Sequence, residues 1–298
     1  MRLKIQLNIP SDGLVLEIGG GAFPHPLSDV LVDRYIEGKI GYSQRGRAPL
    51  VIGNRTIINA DGSKLPFANQ FFNYVICSHV IEHIPLSDID LFIKEMSRVA
   101  LSGYIEAPSI LYEAIRDIPE HIWYVVCKSG TIHLCQKTSA SKWQPFLNPL
   151  FEDGDFRSAL HKHADLFFTG FEWKNSVQFQ IHHNVEELIS LYPNNWAQQL
   201  VSQNLEQMSR AKKLVQKKEL IKQLCPPLFL SVSKKIKDSL EDKAHKRKEK
   251  HPGIDWKDIV VCPMCYSRLS IDLSANKITC LACQSEYSIR PDGIPSFV

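Results

Sequence analysis

The chain has 298 residues, 44% hydrophobic and 22% charged, with a formal net charge of +3, a balance ordinary for a soluble globular enzyme. No apolar run approaches the ~20 residues needed to cross a bilayer, and Met1-Arg2-Leu3-Lys4-Ile5-Gln6 lacks the apolar stretch of a signal peptide. A cytoplasmic protein without a transmembrane segment is therefore expected. In chain order, Leu14-Val15-Leu16-Glu17-Ile18 reads as a buried strand ending in Gly19-Gly20-Gly21. Val30-Leu31-Val32-Asp33, Thr56–Asp61, Phe72–Cys77 and Gly103–Glu106 follow as further apolar runs. Continuous apolar strands separated by loops and helices predict a parallel sheet covered on both faces. A helix is expected from about Ser87 to Ala100, with Ser87 and Asp90 at capping-box spacing and Ile89, Phe92, Ile93, Met96 and Ala100 on one face.

Beyond His121 the pattern changes. Trp123–Cys127 and Thr131–Cys135 flank Lys128-Ser129-Gly130, which predicts a hairpin inserted near 120–138 and covering the carboxyl edge of the sheet. His121, Trp123, Tyr124 and His133 on that hairpin are candidates for an acceptor pocket or for aromatic packing. A second strand pair is expected at Phe167–Trp173 and Val177–His182. Residues 195–252 read as a basic helical segment or linker, broken at Cys225-Pro226-Pro227, with fourteen Lys/Arg against six Asp/Glu. A stripe of this sign over 210–250 could meet phosphates or anionic lipid, or be a solvated helical face.

The glycines after the first strand carry the strongest chemical signal. At a strand-to-loop turn they let the backbone approach a ligand with no Cβ in the way. A dinucleotide fingerprint would need a third glycine where Pro24 stands. Asp33 closes the second strand, where a carboxylate can accept both ribose hydroxyls. Asp61-Gly62 closes the third, where an acid can receive an adenine amino group. Three strand ends thus offer what an adenosine requires, at the edge where open α/β sheets bind ligands.

On Leu16-Glu17-Ile18-Gly19-Gly20-Gly21, Asp33, Asp61–Phe67 and Phe72–His83, residues 13–106 resemble the class I methyltransferase core. The resemblance implies a doubly wound, mostly parallel seven-stranded sheet and S-adenosyl-L-methionine as cofactor. It implies that Glu17, Gly19 and Gly21 contact the methionine moiety, with Gly20 and Ser78 beside them, Asp33 the ribose, and Asp61 and Gly62 the adenine. Pro24-His25-Pro26 departs from the family, in which many members begin a helix here, and implies an irregular first turn. Methyl transfer from a sulfonium is an in-line displacement that needs alignment and exclusion of water, and a base only if the acceptor must lose a proton. His79, His83 and Glu106 are the candidate catalytic residues. In the resembled family this histidine pair also orders the loop.

Of eight cysteines, Cys77, Cys127, Cys135 and Cys225 are scattered, whereas Cys262, Cys265, Cys280 and Cys283 form two Cys-x2-Cys pairs fourteen residues apart. That spacing predicts a tetrahedral structural Zn2+ site, closed by four thiolates. Cys280–Pro295, with Tyr287, Ile289, Gly293, Ile294 and Pro295, resembles the small zinc-ribbon methyltransferase activators. That resemblance implies a β-rich ribbon docked beside its methyltransferase. The expected organisation is a methyltransferase domain over 1–194, a linker over 195–252 and a zinc-ribbon domain over 253–298. The expected function is methyl transfer to an O or N acceptor, either RNA or a small molecule, saccharide or lipid. The alternative is a non-catalytic cofactor-binding or scaffold protein associated with the translation machinery.

Overall fold

The computed structural model describes residues 3, 5–38, 48–138, 144–192 and 254–298. The basic segment expected at 195–252 lies wholly outside these residues. The strands β1 (Val15–Ile18), β2 (Val30–Asp33) and β4 (Tyr74–Ser78) are buried along their whole length, and β3 (Thr56–Asn59) is buried after its first residue. Their apolar runs suit a sheet with no solvent-facing side. They pair in parallel in the order β3-β2-β1-β4, and β5 (Ser102–Pro108) extends the sheet in parallel beyond β4. The order reverses direction at β1, the switch point outside which such sheets bind ligands.

The crossover between β4 and β5 is helix α1 (Ile89–Val99). Its buried face is Ile89, Phe92, Ile93 and Met96, as the periodicity requires, and Asp90 and Lys94 pair at 2.6 Å on the exposed side. The expected capping box does not form. The N-cap is Asp88, no side chain caps the helix, and the Ser87 hydroxyl donates instead to Asp88. Helix α1 is fixed to the sheet by Arg98, which donates to the carbonyls of Leu65 and Phe67 and pairs with Glu95.

Past β5, helix α2 (Ile110–Arg116) is capped by the Ser109 hydroxyl, which accepts from Tyr112 N. The hairpin forms as expected. β6 (Trp123–Lys128) and β7 (Thr131–Gln136) pair antiparallel across Ser129-Gly130, both with positive φ, as a two-residue turn of the primed kind demands. Short helices α3 (Gln144–Glu152), α4 (Gly154–Lys162) and α5 (Ala164–Phe167) lead to β8 (Phe168–Lys174), and β9 (Gln178–His182) precedes α6 (Val185–Ser190). The two strands expected to pair with each other do not. β8 runs antiparallel to β5 on the main sheet, whereas β9 runs parallel to β7 and makes a separate three-stranded sheet with the hairpin.

After helix α7 (Trp256–Ile259), β10 (Leu269–Asp272), β11 (Lys277–Cys280) and β12 (Glu286–Ile289) form an antiparallel meander, and β13 (Pro295–Ser296) follows. β13 pairs with β3 through Ser296 and Asn59, and Phe297 N donates to the Asn59 carbonyl at 2.7 Å. The result is one mixed ten-stranded sheet rather than the expected seven, six strands from residues 15–174 and four from the C-terminal meander. Edge pairing through β13 is what a count of local apolar runs misses. Ile259, Val260, Ile278, Ile289 and Phe297 join the same core as Leu65, Phe67 and Phe92. Each such side chain removed from water contributes about 1.5–3 kcal/mol. Among the described residues no helix is long and apolar enough to cross a membrane.

Candidate functional site

The carboxyl ends of β1 to β4 open into one cleft. Gly19 and Gly21 from the β1 loop, Asp33, Arg34 and Tyr35 from β2, Asp61 and Gly62 after β3, and His79, Val80 and His83 after β4 line it. Gly19 has φ 68°, and a Cβ there would run into Val80 Cγ2. Gly62 lies so close to Phe92 that a Cβ would sit 2.5 Å from its ring. These two glycines therefore set how near the loops come to the cleft floor. Gly19→Ala is expected to cost about 1–2 kcal/mol, measured as a shift of the urea midpoint. An unchanged midpoint would show that Val80 yields without penalty.

Asp33 is buried, and its Oδ1 accepts from Tyr35 N at 2.8 Å. Across the mouth, Arg34 pairs with Asp61 at 2.8 Å, a contact that strand ends alone do not announce. Asp61 also caps its own turn by accepting from Ser63 N. Of the residues assigned to the cofactor by resemblance, Gly19, Gly21, Asp33, Asp61 and Gly62 line the cleft. Glu17, Gly20 and Ser78 stand behind it. Glu17 is buried and accepts from His25 N at 2.7 Å, which holds the loop containing Pro24 and Pro26 against β1. No helix follows β1, in keeping with the irregular turn that the prolines imply.

The end of β4 holds a cluster of ionisable groups. His79 adopts φ 59°, a left-handed backbone seldom tolerated by a side chain of this size. Its Nε2 lies 3.3 Å from Glu106 and its Nδ1 3.5 Å from Glu82. Burial works against a charged imidazole here, but the Glu106 and Glu82 carboxylates outweigh it and raise His79 to about 9. Glu106 is saturated: Ser78 and Tyr104 hydroxyls, Leu3 N and His79 all converge on its two oxygens. Burial pushes its carboxyl up, yet His79, Tyr104 and Leu3 hold it below the ordinary carboxylate value. Glu106 thus supports His79 from behind and is not on the cleft wall.

His83 is on the wall. Its Nδ1 lies 3.0 Å from the Glu120 carbonyl, and its ring meets His121 edge-on. Burial lowers its pKa, and the neighbouring His121 adds to the shift. Trp123, a candidate for the acceptor wall, is instead fully buried and donates to the Ile84 carbonyl at 2.7 Å.

The four paired cysteines come together with their sulfurs all within 4.8 Å of one another. Cys262 and Cys283 sulfurs are 3.6 Å apart and Cys265 and Cys280 sulfurs 3.4 Å. A zinc with four bonds of about 2.3 Å requires sulfur separations of about 3.8 Å, so the thiols present fit such an ion.

Residues 19–104 match the model of a family described as "Methyltransferase domain". The chain thus contains a methyltransferase domain, with the glycines, Asp33, Asp61 and the β4 histidines inside the matched stretch. Among solved structures, a protein of Pyrococcus horikoshii is 20% identical, with 39% of this chain and 57% of that chain covered and a TM-score of 0.26. A SAM-dependent methyltransferase of Archaeoglobus fulgidus is 19% identical, with 45% of this chain and 58% of that one covered and a TM-score of 0.26. One from Methanosarcina mazei is 17% identical, with 41% and 69% covered and a TM-score of 0.28. The chain spans little more than half the length of the Pyrococcus and Archaeoglobus proteins. No curated protein matches it.

Proposed function

We propose that the chain is an S-adenosylmethionine-dependent methyltransferase. The observation that carries this reading is the delivery of Gly19 and Gly21, Asp33, and Asp61 with Gly62 to one cleft by three successive strand ends. The glycine loop takes the methionine moiety, Asp33 the ribose hydroxyls and Asp61 the adenine. The methyl group then faces the β4 end, where His79 and His83 stand. A cationic His79 held by two carboxylates is a poor proton acceptor near neutral pH, so its role in this scheme is to shape the β4 loop. His83 stands on the cleft wall and is the histidine that borders the acceptor side.

The four thiols hold a structural zinc ion, as in the activator ribbons that Cys280–Pro295 resembles. A module of this size has little core of its own, so the metal supplies folding free energy. The acceptor is an O or N nucleophile on a small molecule, saccharide, lipid or RNA. Transfer of labelled methyl from the cofactor into fractionated host extract tests the reading. Label is expected in one pool, and its sensitivity to nuclease separates RNA from the small acceptors. Tight cofactor binding with no label in any pool would overturn the enzymatic reading in favour of a binding protein.

A further inference from the structure

Glu82 follows β4 in the short 3-10 turn Ile81–His83 and is wholly buried. Neither of its carboxylate oxygens accepts a hydrogen bond, and His79 Nδ1 at 3.5 Å stands beyond good hydrogen-bond length. The His79 imidazolium beside it offsets part of the charge, but two oxygens without hydrogen bonds leave a buried carboxylate costly. Buried oxygens without a hydrogen bond call for a water or an ion beside them. Glu82 does not stand by itself: one ligating atom from each of Glu82, His83 and His121 lies within 4.8 Å of the others. A cation with bonds of about 2.1 Å holds facial or tetrahedral ligands about 3.0–3.4 Å apart, so the three side chains would close in by up to about 1.8 Å on binding.

The surroundings of the two imidazoles are what a metal ligand requires. A carbonyl oxygen can only accept, so the contact with Glu120 O fixes the proton of His83 on Nδ1 and leaves the lone pair on Nε2. His121 Nδ1 lies 2.5 Å from Glu113, whose other oxygen accepts from Lys137 at 2.9 Å. A buried carboxylate behind one ring nitrogen orients the ring and raises the basicity of the other, the usual arrangement behind a metal-bound histidine. Both rings are thus held in the tautomer that presents Nε2.

We infer that Glu82, His83 and His121 form a site for a first-row divalent cation at the inner end of the cleft, distinct from the four-cysteine centre. Two imidazoles and one carboxylate suit Mn2+, Fe2+ or Co2+ and leave coordination positions open. His83 belongs to the cleft wall, with Glu82 and His121 buried behind it, so the site borders the proposed cofactor pocket. Resting on the methyltransferase reading, this deepens it: the acceptor is a hydroxyl-bearing compound that binds the cation through oxygen.

Mn2+ binding to zinc-loaded full-length protein tests the site without cofactor or acceptor, by loss of the free-ion EPR signal. One Mn2+ per chain is expected. Glu82→Gln and His121→Gln should each weaken it at least tenfold, with thermal unfolding checked in parallel. Glu113→Gln keeps all three ligands and is expected to weaken it by ~10-fold or more. Failure to bind Mn2+, or binding that Glu82→Gln, His121→Gln and Glu113→Gln leave unchanged, overturns the site whatever methyl transfer shows. Conversely, absent methyl transfer with intact Mn2+ binding would sink the enzymatic reading alone.

Discussion

Asp33→Ala is expected to weaken S-adenosylmethionine binding at least a hundredfold by isothermal titration calorimetry. A carboxylate accepting from two ribose hydroxyls makes two charge-assisted hydrogen bonds, each worth about 1.5–3 kcal/mol. Every 1.4 kcal/mol is a factor of about ten. The substitution also removes the acceptor for Tyr35 N, so the β2 loop loses its local anchor together with the ligand contact. Asp33→Asn separates the two effects. It keeps an oxygen for Tyr35 N but gives up the charge, and an intermediate loss of about tenfold is expected. An affinity within threefold of wild type for Asp33→Ala would remove the ribose from this strand end and with it the proposed cofactor pose.

Cys280→Ser is expected to unfold the β10–β13 meander and to damage the distant cofactor pocket as well. Structural zinc contributes on the order of 10 kcal/mol in small metal-folded modules, far more than this meander's core can replace. The damage should spread because β13 is hydrogen-bonded to β3. The Ser296 hydroxyl donates to Asn59 Oδ1, and Asn59 Nδ2 donates in turn to the carbonyls of Asp33 and Arg34. Tyr266, whose ring lies under Arg98 at 4.2 Å, couples the same module to α1. Hydrogen exchange should rise throughout the meander and at Asn59, with a lower cofactor affinity. Chelation of the wild-type protein should reproduce both effects. Fast exchange confined to the meander, with β3 still protected and affinity unchanged, would show that the two parts are energetically separate.

The parallel core was legible because β1 to β4 are short, mainly apolar runs with a polar or glycine stop. Those stops, Gly19, Asp33 and Asp61, are the cleft-lining residues. The hairpin was legible for a similar reason, since Ser129-Gly130 tolerates the positive φ that a two-residue turn demands. Strand partners were less so. β8 alternates only weakly, and nothing local in Phe168–Lys174 says that it pairs with β5 rather than with β9. The Ser87–Asp90 spacing suggested a cap, but the helix begins later, and a capping box needs the first residue at the helix boundary. Glu82 was visible only as a letter between two histidines. Its grouping with His121 depends on tertiary structure, which brings that residue from thirty-nine positions further along.

The pairing of β13 with β3 has a temporal side. Ser296 and Asn59 are 237 positions apart, and at roughly 5–20 residues per second a ribosome takes about 10–50 s to cover that distance. Throughout that interval β3 presents a bare apolar edge with unpaired amides and carbonyls, the template on which strands of other chains assemble. The nascent protein is therefore most prone to aggregate after its methyltransferase core has emerged and before the cysteine module has closed. Conditions that delay metal loading should prolong that vulnerable window.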